Sequence, residues 1–174
     1  MTTSERAGFK AWRWLLLSAV VIALDQWSKA WASAALAGGG SIAVFPGLRW
    51  TLAHNPGVAF SLLSDGADWQ RALLSVFALS VASAFAWLLT RTAPHERGTR
   101  LAFALVIGGA IGNVIDRLRL GYVVDFIDVY WNRSHWPAFN IADSSICIGA
   151  AVLLLWGWRQ GGSAARPGDA EKAG

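Results

Sequence analysis

Two aspartates in the second half of the chain, Asp125 and Asp143, have no obvious oppositely charged partner in their own segments. Two carboxyl groups that lie close together in a partly dry site cannot both ionise easily, so one keeps a proton while the other stays anionic. Such a pair can activate water with one member and protonate a leaving amine with the other, without a metal. These residues therefore indicate aspartic-peptidase chemistry, although proton relays in membranes use the same residue types.

Further polar residues occur at helical spacing in otherwise apolar stretches. Asp25 and Lys29 are four residues apart, which puts them on one face of a helix. Asn113, Asp116 and Arg117 share a face through the same kind of spacing. An ionisable group at membrane depth costs about 2.5–3.5 kcal/mol on insertion scales, so these groups are expected to pair with one another. We expect the pairs Asp25–Lys29 and Asp116–Arg117 to close one end of a helix bundle.

Asn113 and Asn140 have two open interpretations. They could hydrogen-bond neighbouring helices to each other, or they could serve a site that contains the two aspartates. Asn140 and Asp143 together open the fourth apolar segment of the chain. Gly108 and Gly112 form a small-xxx-small surface, which favours close helix packing beside Asn113.

The segments that carry these residues are long and nearly free of charge. Of 174 residues, 55% are apolar or aromatic and only 15% are charged, whereas a soluble domain has about 25% charged residues. The window 72–90 has nineteen residues and no charge, which is enough to cross a bilayer core at about 1.5 Å per residue. The sequence predicts an all-α integral membrane protein with four transmembrane helices, near residues 13–33, 69–90, 101–119 and 138–158.

The basic residues indicate how these helices are oriented. Nine of the fifteen Lys and Arg residues fall in the N-terminal tail, the 91–100 loop and the tail after residue 158, all on one predicted side. The positive-inside rule then puts both termini in the cytoplasm and the 34–68 and 120–137 loops outside. The formal net charge of +4 is explained by this bias, so no nucleic-acid partner is expected.

The outer loops contain the predicted strands. Residues 41–53 are typical of two short strands around a Pro-Gly turn, and 121–129 is rich in β-branched and aromatic residues. We expect a small sheet that lies along the membrane surface. Residues 1–160 are predicted to form a single membrane-embedded domain, followed by a disordered cytoplasmic tail at 161–174.

The histidines and the cysteine do not indicate a metal or disulfide site. His54, His95 and His135 lie in different loops without helical spacing, so we expect no metal site and no cofactor. Cys147 has no second cysteine to pair with, and we expect it to be a small core residue.

Five short motifs, in this order and at this spacing, resemble those of the bacterial lipoprotein signal peptidases, also called signal peptidase II. The motifs are DQWSK at 25–29, HNPGVAF at 54–60, GGAIGNVIDR at 108–117, VDFI at 124–127 and FNIAD at 139–143. One such motif could arise by chance, but five in order are hard to obtain otherwise. The resemblance extends from Asp25 to Ile146.

The resemblance implies an intramembrane aspartyl endopeptidase of family A8 that needs no metal or cofactor. Such an enzyme removes signal peptides from prolipoproteins by cutting just before a cysteine that bears a diacylglyceryl group. The family's catalytic dyad maps onto Asp125 and Asp143. Its substrate-binding or supporting residues map onto Asp25, Lys29, Asn55, Gly57, Asn113, Asp116, Arg117 and Asn140.

The resemblance also implies the partners and the cellular location. The partners are diacylglyceryl-modified prolipoproteins and membrane lipids, and the enzyme is expected to act as a monomer in the bacterial inner membrane. The outer loops are then periplasmic, with the site near the periplasmic face. The 41–53 hairpin would be part of the substrate platform, and residues 61–69 would form a mobile periplasmic flap.

Two other classes of protein remain open from the residues alone. A small proton-coupled transporter would also bury aspartates among four helices, but it would carry acids near mid-membrane on several of them. A non-catalytic membrane scaffold would leave the order of the motifs unexplained.

Overall fold

The computed structural model describes residues 3–57 and 68–164, with the side chains of 12–57 and 68–159. Four helices and four strands make up this part of the chain. In chain order they are α1 Thr3–Ala35, β1 Ser41–Phe45, β2 Leu48–Asn55, α2 Asp68–Arg91, α3 Arg97–Arg119, β3 Val123–Trp131, β4 Ser134–His135 and α4 Ile141–Ala164.

Helix α3 is the centre of the bundle and packs against α1, α2 and α4. Most of its apolar residues are buried, whereas α2 and α4 leave large side chains such as Phe77 and Trp158 exposed. Broad apolar surfaces of this kind are unfavourable in water and favourable against lipid. The bundle therefore buries its third helix and presents the second and fourth to its surroundings.

Three helices are long and apolar enough to cross a membrane: α2, α3 and the part of α4 that ends at Arg159. Within the described residues, α1 does not meet the same criterion. Its second half contains Asp25, Gln26 and Lys29 among apolar residues, and these lower its hydropathy. By length and composition, the structure supports three of the four predicted membrane spans.

The glycines of α3 let the neighbouring helices approach closely. A Cβ atom added to Gly109 would collide with the carbonyl oxygen of Ala142 on α4. A Cβ atom added to Gly108 would lie 2.8 Å from the Cβ of Val21 on α1. The predicted close packing is confirmed, and it brings the first turn of α4 against the middle of α3.

The four strands form one antiparallel sheet in the order β1-β2-β3-β4. Gly47 turns the β1–β2 hairpin with a φ of 93°, in the region that favours glycine. Asp125 on β3 is opposite Ala53 on β2, and Phe126 packs near Ala32 at the end of α1. Both predicted strand regions are confirmed. The sheet covers one end of the helix bundle, which we call the sheet end.

Helix α4 begins at Ile141 instead of near residue 138 because Asn140 caps it. The Asn140 Oδ1 accepts the backbone N–H of Asp143 at 2.9 Å, which satisfies one of the free donors in the first turn. The cap holds the acidic side chain of Asp143 within the first turn of the helix.

Other boundaries also differ from the predictions. Helix α1 begins at Thr3, ten residues before the predicted start, and α4 ends at Ala164, four residues into the tail predicted to be disordered. The rest of that tail and residues 61–67 of the predicted flap lie outside the described residues. Cys147 is exposed on α4, so the expected core position is wrong. The reason is that α4 packs along one side only.

Candidate active site at the sheet end of the bundle

Eight polar side chains from five elements meet at the sheet end in one hydrogen-bonded group, which we call the acid–amide cluster. All eight were singled out by the sequence. They are Asp25 and Lys29 from α1, Asn55 from β2, Asn113 and Asp116 from α3, Asp125 from β3, and Asn140 and Asp143 at the start of α4.

Asp125 is almost completely buried, with 2% of its surface exposed. Its Oδ1 accepts a hydrogen bond from Asn140 Nδ2 at 2.6 Å, and its Oδ2 accepts one from Asn55 Nδ2 at 3.0 Å. Both oxygens are therefore held by neutral amide donors, which orient the carboxyl group without adding a charge beside it.

Asp143 is partly exposed and shares one amide, Asn140, with Asp125. Its Oδ1 accepts a hydrogen bond from Asn113 Nδ2 at 2.7 Å, and its backbone N–H donates to Asn140 Oδ1 at 2.9 Å. Asn140 is therefore bonded to both aspartates, through its donor end to Asp125 and through its acceptor end to Asp143. The side chain of Asn140 couples strand β3 to the first turn of α4.

The environment of Asp125 favours its protonated form. Burial raises the pKa of Asp125 to about 6, the hydrogen bond from Asn55 lowers it, and the nearby negative charge of Asp143 raises it further. A carboxyl group with a pKa near 6 can exchange a proton near neutral pH. Asp125 therefore carries its proton below about pH 6 and loses it above that pH.

Lys29 is the cation at the centre of the cluster and is 3% exposed. Its Nζ lies 2.8 Å from Asp25 Oδ2, 2.9 Å from Asp116 Oδ2 and 2.9 Å from Asn113 Oδ1. These three acceptors use all three N–H donors of the ammonium group. Because Asn113 Oδ1 faces Lys29, its amide nitrogen must face the other way, toward Asp143. Lys29 thus determines which end of Asn113 meets the aspartate.

The two carboxylates beside Lys29 hold the backbone segments that carry the other two acids. Asp25 Oδ1 accepts the backbone N–H of Ala142 at 2.9 Å, and Asp116 Oδ2 accepts the backbone N–H of Val124 at 3.1 Å. Ala142 and Val124 each come one residue before a member of the pair. Asp25 and Asp116 therefore position the backbone on which Asp143 and Asp125 are mounted.

The expected ion pair Asp25–Lys29 is confirmed, but the expected pair Asp116–Arg117 is wrong. Asp116 pairs with Lys29 across the α1–α3 interface instead. Adjacent residues on a helix point about 100° apart and do not face each other, which disfavours a direct ion pair between Asp116 and Arg117. The correct partner of Asp116 lies on another helix and cannot be identified from spacing.

Gln26 is hydrogen-bonded to the acid–amide cluster, but it was not selected as a site residue from the sequence. Its Nε2 donates to Asp116 Oδ1 at 2.9 Å and lies 3.2 Å from the Gly112 carbonyl oxygen and 3.3 Å from Asp25 Oδ2. The available signal was an uncharged polar residue next to Asp25 in an apolar helix. Such a residue needs a hydrogen-bonding partner inside the bundle.

Arg117 and Asp143 line a cavity of about 260 Å³ between α2, α3 and α4. Asn113 also lines this cavity, and the other lining residues of the cavity are apolar. The apolar lining consists of Leu74, Phe77, Ala78, Val81, Val106, Ala110 and Ile146. The Nε of Arg117 is buried and has no hydrogen-bond partner among the described residues. The cavity thus combines an apolar wall with a polar end at Asp143.

Gly57 helps to orient Asn55. Its backbone N–H donates to Asn55 Oδ1 at 2.9 Å, and its φ of 104° lies in the region that favours glycine. With its acceptor end bonded in this way, Asn55 turns its donor end toward Asp125. Gly57 and Arg117 are the two predicted site residues that border the acid–amide cluster without belonging to it.

Asp128 lies near Asp125 in sequence but is outside the cluster. Three positions along a strand bring a side chain to the opposite face, where Asp128 bonds Arg49 at 2.6 Å and His135 at 2.9 Å. Burial alone would raise the pKa of Asp128, but the bonds from His135 and Arg49 hold it below its usual value. In the ranges that the structure describes, no three His, Cys, Asp or Glu side chains are arranged to hold a metal ion.

Membrane-capable helices that end in buried acids and amides, with burial raising the pKa of one carboxyl group to about 6, are features expected of a membrane-bound aspartic peptidase. The sequence model of the family described as signal peptidase (SPase) II matches residues 17–159. The chain belongs to this family and is an aspartic peptidase, as the motifs suggested. The transporter hypothesis is not supported.

Named relatives and solved structures agree with this family. A lipoprotein signal peptidase of Xanthomonas oryzae pv. oryzae (strain PXO99A) is 48% identical over 155 residues, which cover 88% of this chain and 93% of the relative. One of Acinetobacter baumannii (strain AB307-0294) is 49% identical over 142 residues, which cover 82% and 81% of the two chains.

Two solved structures, each described as a bacterial membrane enzyme, have a similar fold. One matches with a TM-score of 0.74 at 28% identity and covers 90% of this chain and 93% of its own. The other matches with a TM-score of 0.72 at 30% identity and covers 82% and 90%. The chain is similar to both along most of its length.

Proposed function

We propose that the chain removes signal peptides from prolipoproteins by cleaving just before the diacylglyceryl-modified cysteine, and that Asp125 and Asp143 are its catalytic pair. The relatives named lipoprotein signal peptidase support this substrate class. The observation that carries the assignment of the pair is the bridging position of Asn140. Its amide bonds the side chain of Asp125 and the backbone of Asp143 at once, so the two acids are held beside one site.

In the proposed reaction the anionic member of the pair takes a proton from water, and the water oxygen attacks the scissile carbonyl carbon. The protonated member then gives its proton to the leaving amine as the carbon–nitrogen bond breaks. This division of roles needs one proton shared by two carboxyl groups, and the raised pKa of Asp125 supports it. Amide donors from Asn55, Asn113 and Asn140 keep both carboxyl groups oriented.

The other members of the acid–amide cluster are proposed to be positioning residues. Lys29 orients Asn113, and Asp25 and Asp116 hold the backbone on either side of the pair. Gly57 orients Asn55. Each of these acts through a neighbour instead of through the scissile bond. Their removal is therefore expected to disturb geometry as well as turnover.

The cavity between α2, α3 and α4 supports a lipid-modified peptide as substrate. Such a substrate needs an apolar path for its acyl chains beside a polar centre for its scissile bond, and the cavity has both. We infer that its apolar wall contacts the acyl chains and that Arg117 donates a hydrogen bond to a substrate oxygen. The buried Arg117 Nε, which has no partner among the described residues, supports that role.

The proposed membrane arrangement adds α1 as a fourth span, with both termini in the cytoplasm and the sheet end at the periplasmic face of the inner membrane. The distribution of basic residues supports it. We further propose that residues 1–160 act as one monomeric domain, since all eight cluster residues come from a single chain. The 41–53 hairpin would then support the substrate and residues 61–69 would cover it.

The variants Asp125→Asn and Asp143→Asn test the catalytic pair. Each is expected to lower cleavage of a diacylglyceryl-modified reporter prolipoprotein by at least about 10³-fold. The reason is that the loss of one member of a catalytic unit removes most of the rate enhancement of the whole unit. Membrane insertion and elution on size exclusion should be unchanged. Mass spectrometry of the product should show the modified cysteine at its new N-terminus.

Asp128→Asn is the matched control for these variants. It removes the same charge from the same strand, three residues from Asp125 but on the opposite face. It should keep turnover within a few-fold of the parent enzyme, and a reporter without the lipid should remain uncut. Near-normal turnover in either Asp125→Asn or Asp143→Asn would show that the pair is wrongly assigned.

A further inference from the structure

A second cavity, of about 530 Å³, lies at the end of the bundle opposite the sheet. It is formed by α1, the α2–α3 connection and the start of α3. Its lining residues are Arg13, Trp14, Leu17, Pro94, Arg97 and Arg100. None of them belongs to the acid–amide cluster or to the motifs that carry it, so the proposed peptidase mechanism does not account for this cavity.

Its distance from the sheet end follows from helix geometry. Arg13 precedes Lys29 by sixteen residues on α1, and Arg97 precedes Asn113 by sixteen residues on α3. At about 1.5 Å per residue, each stretch measures about 24 Å along its helix. The hydrocarbon core of a bilayer is about 30 Å thick. The cavity therefore lies near the membrane surface opposite the acid–amide cluster.

The cavity is strongly basic. Arg13 and Arg97 are exposed at its rim, whereas Arg100 is only 2% exposed. Arg100 donates a short hydrogen bond from Nη2 to the Thr92 carbonyl oxygen, but its Nε has no hydrogen-bond partner among the described residues. A buried guanidinium with an unused donor is unfavourable unless an acceptor reaches it. Among the described lining residues there are thus three arginines, one of which has an unsatisfied donor.

The start of α3 adds to the preference for an anion. Glu96 is at the N-cap position, but its side chain makes no capping hydrogen bond, and its carboxylate accepts a weak one from Thr99 at 3.5 Å instead. The first backbone N–H groups of the helix therefore have no side-chain cap. Such groups attract anions, and phosphates in particular, through the helix dipole.

The other described lining residues of the cavity, Trp14, Leu17 and Pro94, are apolar. Trp14 and Leu17 line the cavity, and Leu15 and Leu16 on the same turns of α1 are 41% and 54% exposed. An occupant with an anionic head and hydrocarbon chains would satisfy both features. A free inorganic anion would use only the arginines and would leave the apolar side uncovered.

We propose that this cavity binds the phosphate of an anionic phospholipid, with the arginines around the phosphate and the acyl chains along α1. Basic pockets between membrane helices recognise anionic headgroups in this manner. The site does not depend on the peptidase assignment, because it lies at the other end of the bundle. It would anchor α1 to α3 at the membrane surface opposite the sheet end.

Lipid binding to the purified full-length protein tests the proposal. Native mass spectrometry would compare retention of phosphatidylglycerol with that of phosphatidylcholine carrying the same acyl chains. Phosphatidylglycerol is expected to be retained in preference, and the rim variant Arg13→Gln/Arg97→Gln should weaken its binding roughly tenfold. This variant changes exposed side chains, so it should fold even if Arg100→Gln does not.

The matched control is Arg91→Gln/Arg159→Gln, which removes two charges from the same end of the bundle without touching the cavity. Arg91 stacks on Trp87, 4.7 Å from its ring centroid. This control should bind phosphatidylglycerol like the parent. Equal losses in the two double variants, or equal retention of the two lipids, would overturn the proposal. Displacement of the lipid by millimolar inorganic phosphate would assign the site to a free anion and also overturn it.

Discussion

Asn140 donates a hydrogen bond to Asp125 across 2.6 Å, and the acceptor end of the same amide caps the helix that carries Asp143. Asn140 is completely buried. One side chain therefore links a strand to a helix and aligns the two acids that we propose to be catalytic. An amide can do this because it is a donor at one end and an acceptor at the other.

We predict that Asn140→Ala lowers turnover by about 10²–10³-fold, in the range found when one preorganised donor is removed from an active site. The variant also loses the cap of α4, which should cost about 1 kcal/mol of stability. Cleavage kinetics and a thermal unfolding curve in detergent would measure both effects. The control is Ser144→Ala, because the Ser144 hydroxyl donates to the backbone carbonyl oxygen of Asn140 and leaves its side chain unchanged. Turnover within threefold of the parent in Asn140→Ala would contradict the proposed role.

The activity should fall as pH rises through about 6. Burial raises the pKa of Asp125 to about 6, so its proton is present below that pH and is lost above it. The proposed reaction needs one proton on the pair, and kcat/KM should therefore show a declining alkaline limb near that value. A rate that is flat from pH 5 to pH 8 would argue against a shared proton.

Asn55→Ala should move this limb to higher pH. The Asn55 amide donates to Asp125 Oδ2 and so favours the ionised carboxylate, and its loss makes the proton harder to remove. Arg49→Ala is the control, since Arg49 is on the same strand but bonds Asp128. The pH at which kcat/KM declines distinguishes a change in the pKa of Asp125 from a general loss of activity. A shift to lower pH in Asn55→Ala would reverse the expected sign.

Lys29→Met should destabilise the folded protein by about 3–5 kcal/mol. The buried ammonium group compensates Asp25 and Asp116, and its removal leaves two buried carboxylates without the cation that bonds them. The double variant Lys29→Met/Asp25→Asn removes one of those charges and should recover part of the loss. Thermal unfolding midpoints in detergent would measure both.

Arg71→Met is the comparison for this prediction. It breaks the pair with Asp68, in which both side chains are well exposed, and should cost about 1 kcal/mol or less. Equal destabilisation in Lys29→Met and Arg71→Met would show that the buried pair is no more important than a surface pair.

Gly109→Ala should separate α3 from α4. The added methyl group would collide with the carbonyl oxygen of Ala142, a backbone atom in the first turn of α4. Overpacking of this kind costs about 1–3 kcal/mol, and the accompanying shift of Asp143 should reduce turnover. Gly157→Ala is the control on α4, where an added Cβ meets nothing within 4 Å. Wild-type turnover and unfolding midpoint in Gly109→Ala would show that the close approach is unnecessary.

Most of the architecture could be predicted because its signals are local in sequence. Uncharged windows identified the helices, a proline–glycine turn between β-rich stretches identified the hairpin, and glycines four residues apart identified the close packing on α3. Boundaries were less predictable. The start of α4 depends on whether Asn140 uses its oxygen to cap the helix, and that choice depends on what its nitrogen bonds.

The site residues could also be predicted from the sequence, but their partners could not. The sequence identified Asp116 as a buried acid that must be paired, but spacing suggested Arg117 as its partner and the structure pairs it with Lys29. Gln26 was overlooked because an amide in a helix has no distinctive spacing of its own. Both partners lie across the α1–α3 interface, so the rotation of one helix against the other decides which groups meet.

The sequence by itself determined which residues are apolar enough to form the bundle and which polar residues must be paired within it. Helical and strand periodicity place side chains on a face, and the free-energy cost of burying charge requires partners for them. Only the tertiary structure decided which partners meet. It brought Asn140 between Asp125 and Asp143, and it gathered Arg13, Arg97 and Arg100 around one cavity. Hydrogen bonds act over about 3 Å, so they depend on the relative rotation and close approach of elements that are distant in the chain.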